Sequence, residues 1–150
     1  STDEADYAHE DEFELAISLA ASLGIRTLRD EQTVSIVAGG KSLPSENGQR
    51  LLDAFAGVTL NGSSGSLHAS AIQANKAAGN ASIVALATGS ASTLADVRSA
   101  ANRLSTDARI VVLRADMAGT LSYRPVGTTA VINVPALDEF AQGLWRATQV

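Results

Sequence analysis

The chain has 150 residues, 45% hydrophobic, 4% aromatic and 18% charged, with a formal net charge of −5 and no cysteine. A chain of this size buries roughly two-thirds of the surface its unfolded form exposes, enough for one core and too little for two. The lack of cysteine excludes disulfides, thiolate metal sites and thiol nucleophiles and fits a reducing compartment, expected to be the cytoplasm; no apolar run approaches the roughly 20 residues that cross a bilayer, so no membrane contact by this segment is expected.

Charge is unevenly placed. Seven of the 16 acidic residues lie between Asp3 and Glu14, and everything after Glu14 is slightly basic. Residues 1–10, STDEADYAHE, have little apolar content and read as a flexible acidic tail ahead of one domain spanning 11–150. The arginines are scattered one per element, without a cluster or interleaved aromatics, and the acidic leader repels phosphate, so nucleic acid is not expected as a partner.

In chain order, DEFELAISLAASLGIRTLRD begins with capping-box spacing at Asp11 and Glu14 and carries a stripe of Phe13, Ile17, Ala20, Gly24 and Leu28, which predicts a mostly buried helix. TVSIVAG, 33–39, is β-branched and predicts a strand ended by Gly39 and Gly40. ENGQRLLDAFAGV predicts a short helix with Leu51, Leu52 and Phe55 on one face. Ser66 is the predicted N-cap of a helix through LHASAIQANKA, with Gly79 past its end. Ile83–Ala87 predicts a strand that breaks into Thr88, Gly89, Ser90, Ala91 and Ser92. Thr93 and Asp96 then have capping-box spacing ahead of Leu94, Val97, Ala101 and Leu104. ARIVVLRA, 108–115, is a further strand, LSY a short one, TTAVINV the last, and Pro135 opens a final helix with Leu137, Phe140, Ala141, Leu144 and Trp145.

Continuous apolar strands separated by helices predict an α/β fold with three layers: a mostly parallel sheet with helices on both faces. A chain of this class normally opens on its central strand, and nothing before Phe13 qualifies. The missing strand predicts a gap or an unpaired edge, which invites pairing with another chain.

The chemistry-bearing motifs are few. GGKS, 39–42, lacks the glycine that a Walker A loop places at position 35 and is followed by Leu43 and Pro44 where a helix would begin; no G-x-G-x-x-G exists either. His9 and His68 are the only histidines and have no metal-ligand spacing. TGSAS lacks the G-x-S-x-G elbow of a serine nucleophile. The acidic leader has no D-x-D-x-D-G calcium pattern, and Asp11, Glu12 and Glu14 are placed to favour a helix N-terminus. The loop at Thr88, Gly89, Ser90 and Ser92 can turn N–H groups and hydroxyls towards an anion at a helix start, or simply make a turn and cap the helix.

DEFELAISLAASLGIRTLRD, GQRLLDAFAGV, ASIVALATGSAS and ARIVVLRAD resemble the C-terminal part of bacterial domain-of-unknown-function family fifty-eight over about residues 11–150. That family is similar to von Willebrand factor A domains and is often encoded beside MoxR-type AAA ATPases. The resemblance implies an interaction module with a metal-ion-dependent adhesion site at the strand C-termini, built from a D-x-S-x-S after the first strand, a threonine and an aspartate. By position Ser66 matches the threonine and Gly89 the aspartate, while the D-x-S-x-S is missing with its strand. One hydroxyl without a carboxylate does not hold magnesium, and no acidic side chain is expected at that rim.

The expectation is therefore a non-enzymatic protein-interaction module with a degenerate adhesion site, no metal, no cofactor and no catalytic residue. Ser66, Thr88, Gly89, Ser90 and Ser92 are its candidate binding residues. Its partner is expected to be a protein, either a MoxR-type ATPase or a second copy, and the parent protein to be membrane-anchored. The alternative is a Rossmann-like small-ligand or anion-binding domain or enzyme that uses the Thr88–Ser92 loop.

Overall fold

A computed structural model describes residues 1–148; the last two residues of the expected domain, 149 and 150, lie outside it. Among these residues the elements run α1 (Glu10–Arg29), β1 (Ile36–Ala38), β2 (Lys41–Leu43), α2 (Gly48–Ala56), α3 (Leu67–Ala78), β3 (Ile83–Gly89), α4 (Leu94–Ala101), β4 (Arg109–Ala115), β5 (Ser122–Val126), β6 (Thr129–Val134) and α5 (Phe140–Thr148). The main sheet has the order β3-β4-β6-β5, with β3, β4 and β6 parallel and β5 antiparallel to β6. The expected mostly parallel α/β sheet is present.

Alternation along the strands builds the two core layers. Ile110, Val112 and Val131 face Leu67 and Ala71 of α3 and Val97 and Ala100 of α4. Leu113, Ala115, Ile132 and Val134 point to the opposite face, against Phe13, Ala16 and Leu19 of α1 and Phe140 of α5. Successive strand residues point to opposite sides, so continuous apolar runs are what a sheet covered on both faces requires. No described helix is long and apolar enough to cross a membrane.

Several expectations are corrected. The tail is folded: Thr2 is 2% and Tyr7 9% exposed. The Tyr7 ring meets Phe13 edge-on at 5.4 Å, and its hydroxyl donates to the Ser1 carbonyl at 2.6 Å. Thr2 donates its N–H to the Gly65 carbonyl at 2.7 Å and accepts from the Asn61 N–H at 2.8 Å. One aromatic and a few main-chain bonds outweigh the charged composition because Glu4, Glu10 and Asp11 stay in water. The capping box at Asp11 and Glu14 is also absent, since α1 starts two residues earlier with His9 as its N-cap, whose side chain makes no capping bond. Glu12 reaches back instead and accepts from the Ala8 N–H at 3.0 Å.

The strand expected at 33–39 is shorter and lies outside the main sheet. Gly39 and Gly40 both take positive φ, +59° and +75°, the geometry of the tight hairpin turns that reverse a chain at once. β1 is thereby paired with β2, which begins at the lysine of GGKS. On α2, Leu51 and Phe55 are buried but Leu52 is 47% exposed. The strand at LSY runs on through Arg124 and Pro125 to Val126, and α5 starts at Phe140 after a 3-10 turn at Leu137–Glu139 rather than at Pro135. The cap at Ser66 and the box at Thr93 and Asp96 stand as expected: Ser66 Oγ accepts from the Ala69 N–H at 3.2 Å, and Thr93 Oγ1 from the Asp96 N–H at 3.1 Å. Hydrogen bonds from the Thr93 N–H and hydroxyl hold the Asp96 carboxyl below the usual carboxylate range.

Candidate functional site

Parallel strands deliver their C-terminal ends to one rim, and the loops leaving β3, β4 and β6 form that rim here. The sequence placed Thr88, Gly89, Ser90 and Ser92 on it, and the structure brings all four together at the end of β3. Thr88 and Ser92 are buried, and their hydroxyls bond each other at 2.6 Å. Gly89 is required by close approach: a Cβ there would lie 2.4 Å from the Asp6 carbonyl oxygen and 2.4 Å from the Tyr7 ring. The segment assigned to solvent is what covers this loop.

Two acidic side chains, Asp6 of that segment and Glu12 of α1, therefore reach the rim, contrary to expectation. Glu12 is 1% exposed. Its Oε2 accepts from the Ser90 N–H at 3.1 Å as well as from Ala8, and the Ser90 hydroxyl donates to its Oε1 at 2.7 Å. Asp6 accepts from the Ser1 hydroxyl through its carboxylate, and from the Ala91 N–H at 3.1 Å through its carbonyl. The Ser92 N–H goes to the Gly89 carbonyl at 3.4 Å and the Thr93 N–H to Asp96 at 2.8 Å. The main-chain donors from Ser90 to Thr93 are thus satisfied within the chain, and the loop already holds an anion, the carboxylate of Glu12.

Arg114, one residue from the end of β4, completes this arrangement. Its Nη2 donates to the Ser90 carbonyl and its Nη1 to Asn133 Oδ1 at 3.5 Å, while Asn133 donates to the Ser122 hydroxyl at 3.0 Å. Ser90 is held from both sides, by a carboxylate on its N–H and hydroxyl and by a guanidinium on its carbonyl.

Ser66 sits at the flank of this rim. Its neighbour Gly65 accepts from Thr2 and, at 3.1 Å, from the Ser1 hydroxyl; the Ser1 ammonium in turn donates to the Ala87 carbonyl on β3. Ser1 and Thr2 therefore bridge the α3 N-terminus to the end of β3. Burial lowers the Ser1 amine to about 6, partly offset by the Asp6 carboxylate. Burial also raises the Tyr7 phenol, with Asp6 and Glu12 adding to the effect.

The donor set does not fit the divalent ion that the family resemblance implies. The Ser66 oxygen caps α3, Gly89 offers no side chain and has no room for one, and the carboxylates of Asp6 and Glu12 are engaged by hydroxyl and amide donors. Among the described residues no three His, Cys, Asp or Glu side chains converge. His68 does meet a serine, Ser99 Oγ at 3.1 Å from Nδ1. That pair joins the first turn of α3 to the second half of α4.

Apolar side chains are left in water at the rim as well as elsewhere, at Leu52, Ile83 and Trp145. Leu94, Met117 and Leu137 are 38%, 50% and 46% exposed, and they lie in the segments leaving β3, β4 and β6 respectively. Sequence reasoning missed Asp6, Glu12 and Arg114. A signal existed for Glu12: it lies four and seven residues before Ala16 and Leu19, on the buried side of α1, and an acid on such a stripe demands donors. No family model matches the chain, and no curated protein or solved structure matches it.

Proposed function

We propose that this domain is a non-enzymatic protein-docking platform of von Willebrand factor A-like build, whose contact surface is the rim at the C-terminal ends of β3, β4 and β6. The observation that carries the reading is the exposure of Leu94, at the start of α4, Met117 and Leu137 in the three segments that follow β3, β4 and β6. Large apolar side chains gathered at one end of a sheet are the usual mark of a protein contact. The internal use of Glu12, Ser90 and Arg114 supports the same reading, because it leaves the loop firm and its donors satisfied. Such a surface binds by shape and apolar contact, without a metal. The family resemblance makes a MoxR-type AAA ATPase the first partner to test.

The test is site-specific photocrosslinking in the native cell. A photoreactive side chain at Met117 or Leu137 is expected to give a discrete protein adduct, and one at Gln49, exposed on α2, none. Adducts that are equal at all three positions, or absent at Met117 and Leu137, overturn the reading. So does a thermal shift with phosphate or nucleotide that Ser90→Ala abolishes, since this identifies the rim as a small-anion site.

A further inference from the structure

The face of the main sheet turned to α3 and α4 is built in rows, because residues opposite one another on paired strands carry their side chains to the same side. Val84, Ile110, Thr129 and Val126 stand opposite one another in one row, and Leu86, Val112, Val131 and Arg124 in the next. The row nearest the rim is Thr88, Arg114, Asn133 and Ser122, polar on all four strands. It begins where the apolar layer of Ile110, Val112 and Val131 stops.

The hydrogen bonds along this row run one way. The Thr88 hydroxyl is closed on Ser92. Arg114 donates to Asn133 Oδ1 and Asn133 donates to Ser122 Oγ, so the row ends on a hydroxyl whose own hydrogen is still to be given. Arg114 holds a further donor: its Nε is enclosed and has no acceptor among the described residues, and a buried N–H in that state is costly.

Positive charge is in surplus as well. The oxygens that Arg114 meets, on Ser90 and Asn133, are neutral. Glu12 binds Ser90 from the other side, the Asp96 carboxylate serves Thr93, and the Asp116 carboxylate lies over Gly119 in its own turn. Among the described residues no carboxylate comes within 4.0 Å of a nitrogen of Arg114 or Arg124. Arg124 follows Ser122 by two residues on β5, leaves the sheet on the same side and is exposed. A guanidinium does not lose its proton in a protein. Half-buried Arg114, exposed Arg124 and the Ser122 hydroxyl therefore present charge and donors on one face with no anion to receive them.

We infer that Arg114, Asn133, Ser122 and Arg124 form a binding site for a carboxylate. A carboxylate only accepts hydrogen bonds, takes them from planar guanidinium groups and hydroxyls, and supplies the one charge this row lacks. The main chain argues against phosphate: phosphate sites are made chiefly of clustered backbone N–H groups, and those from Ser90 to Thr93 are already satisfied. The carboxylate belongs either to an Asp or Glu side chain of a docked protein or to a small free acid, and the chemistry that holds it is the same. The inference goes beyond the rim reading and uses neither Met117 nor Leu137.

Proton–nitrogen NMR of the whole chain tests it, with sodium acetate and acetyl-Leu-Asp-Leu-amide as probes and acetamide as the uncharged control. Each carboxylate is expected to shift the Arg114 Nε–H signal and the Ser122 amide at millimolar concentration, and acetamide to shift neither. A peptide that binds more tightly than acetate assigns the source to a protein side chain, and acetate at least as tight assigns it to a free acid; either result supports the site. Arg124→Glu is expected to weaken acetate binding by about tenfold and Ser122→Ala by about threefold, with the fold retained by circular dichroism. Arg29→Glu, the same charge change at the far end of α1, leaves it unchanged. The inference is overturned if neither signal moves at tens of millimolar acetate and peptide, if acetamide acts equally, or if Arg29→Glu and Arg124→Glu have equal effects. Inorganic phosphate that binds more tightly than both carboxylates overturns it too, since the row is then a phosphate site.

Discussion

Removal of the Glu12 side chain tests whether the contact between α1 and the β3 loop holds the rim together. Glu12→Ala leaves the Ser90 N–H and hydroxyl without their acceptor in a half-buried site, while Ala8, exposed, turns its N–H to water. Each stranded donor costs about 1–3 kcal/mol and the lost side-chain packing adds to it, while release of a buried charge offsets part, so a net loss of about 3 kcal/mol is expected. For a domain of this size that lowers Tm by about 6–12 °C. Glu12→Gln keeps an oxygen at the Oε2 position, where the two N–H donors converge, and places an amide beside a hydroxyl that can turn to accept. It is expected to cost only about 1 kcal/mol. Urea unfolding followed by far-UV circular dichroism measures both, and amide exchange at Ser90 reads the local effect. A loss below about 1 kcal/mol for the alanine variant refutes the reasoning, as does a glutamine variant as damaged as the alanine one.

Deletion of residues 1–9 is expected to cost several kcal/mol, about the value of a buried aromatic, because Tyr7 packs on Phe13; a solvated tail would leave the urea midpoint unchanged. Gly89→Ala is expected to destabilise by about 2–3 kcal/mol, since its Cβ meets the Asp6 main chain and the buried Tyr7 ring, neither of which can swing away freely, and the same unfolding assay checks it. Thr93→Ala removes the α4 cap at a cost of about 1 kcal/mol; because the Asp96 carboxyl is depressed in the fold, the box contributes above the unfolded carboxylate pKa and is lost as pH falls through the folded value, so the difference between wild type and variant shrinks in acid. The Ser1 amine falls from 8.0 to about 6 on folding. Between those values the unfolded chain binds the extra proton, so stability rises from pH 6 to pH 8 by at most about 2–3 kcal/mol, which denaturation at pH 5.5, 7 and 8.5 measures.

What the sequence made legible is what local chemistry decides. Runs such as Ile110–Leu113 and Ala130–Val134 can only be strands covered on both faces, and the caps at Ser66 and Thr93 need nothing beyond their own helices. The hairpin at Gly39–Gly40 was half legible: the glycines marked a stop, but that they turn the chain straight back depends on the positive φ both adopt. The site was legible only on its β3 side. Ser90 was found from the loop composition, whereas its partners Glu12 and Arg114 lie 78 and 24 residues away, and pairing at such separations is decided by the fold. Composition misled outright at Tyr7, where six neighbouring charges hid one ring that goes inside.

The anchorage of α1 at one end has a geometric corollary. Its 20 residues form a rod about 30 Å long, fastened near its start to the β3 loop and ending at Arg29, where the ion pair of Arg26 with Asp30 lies in the open. The rod runs from where Ser90 is gripped to the hairpin side of the molecule, with Leu51 seated against Gly24 partway along it. The β3 loop and the hairpin side are in this sense joined by one continuous helix.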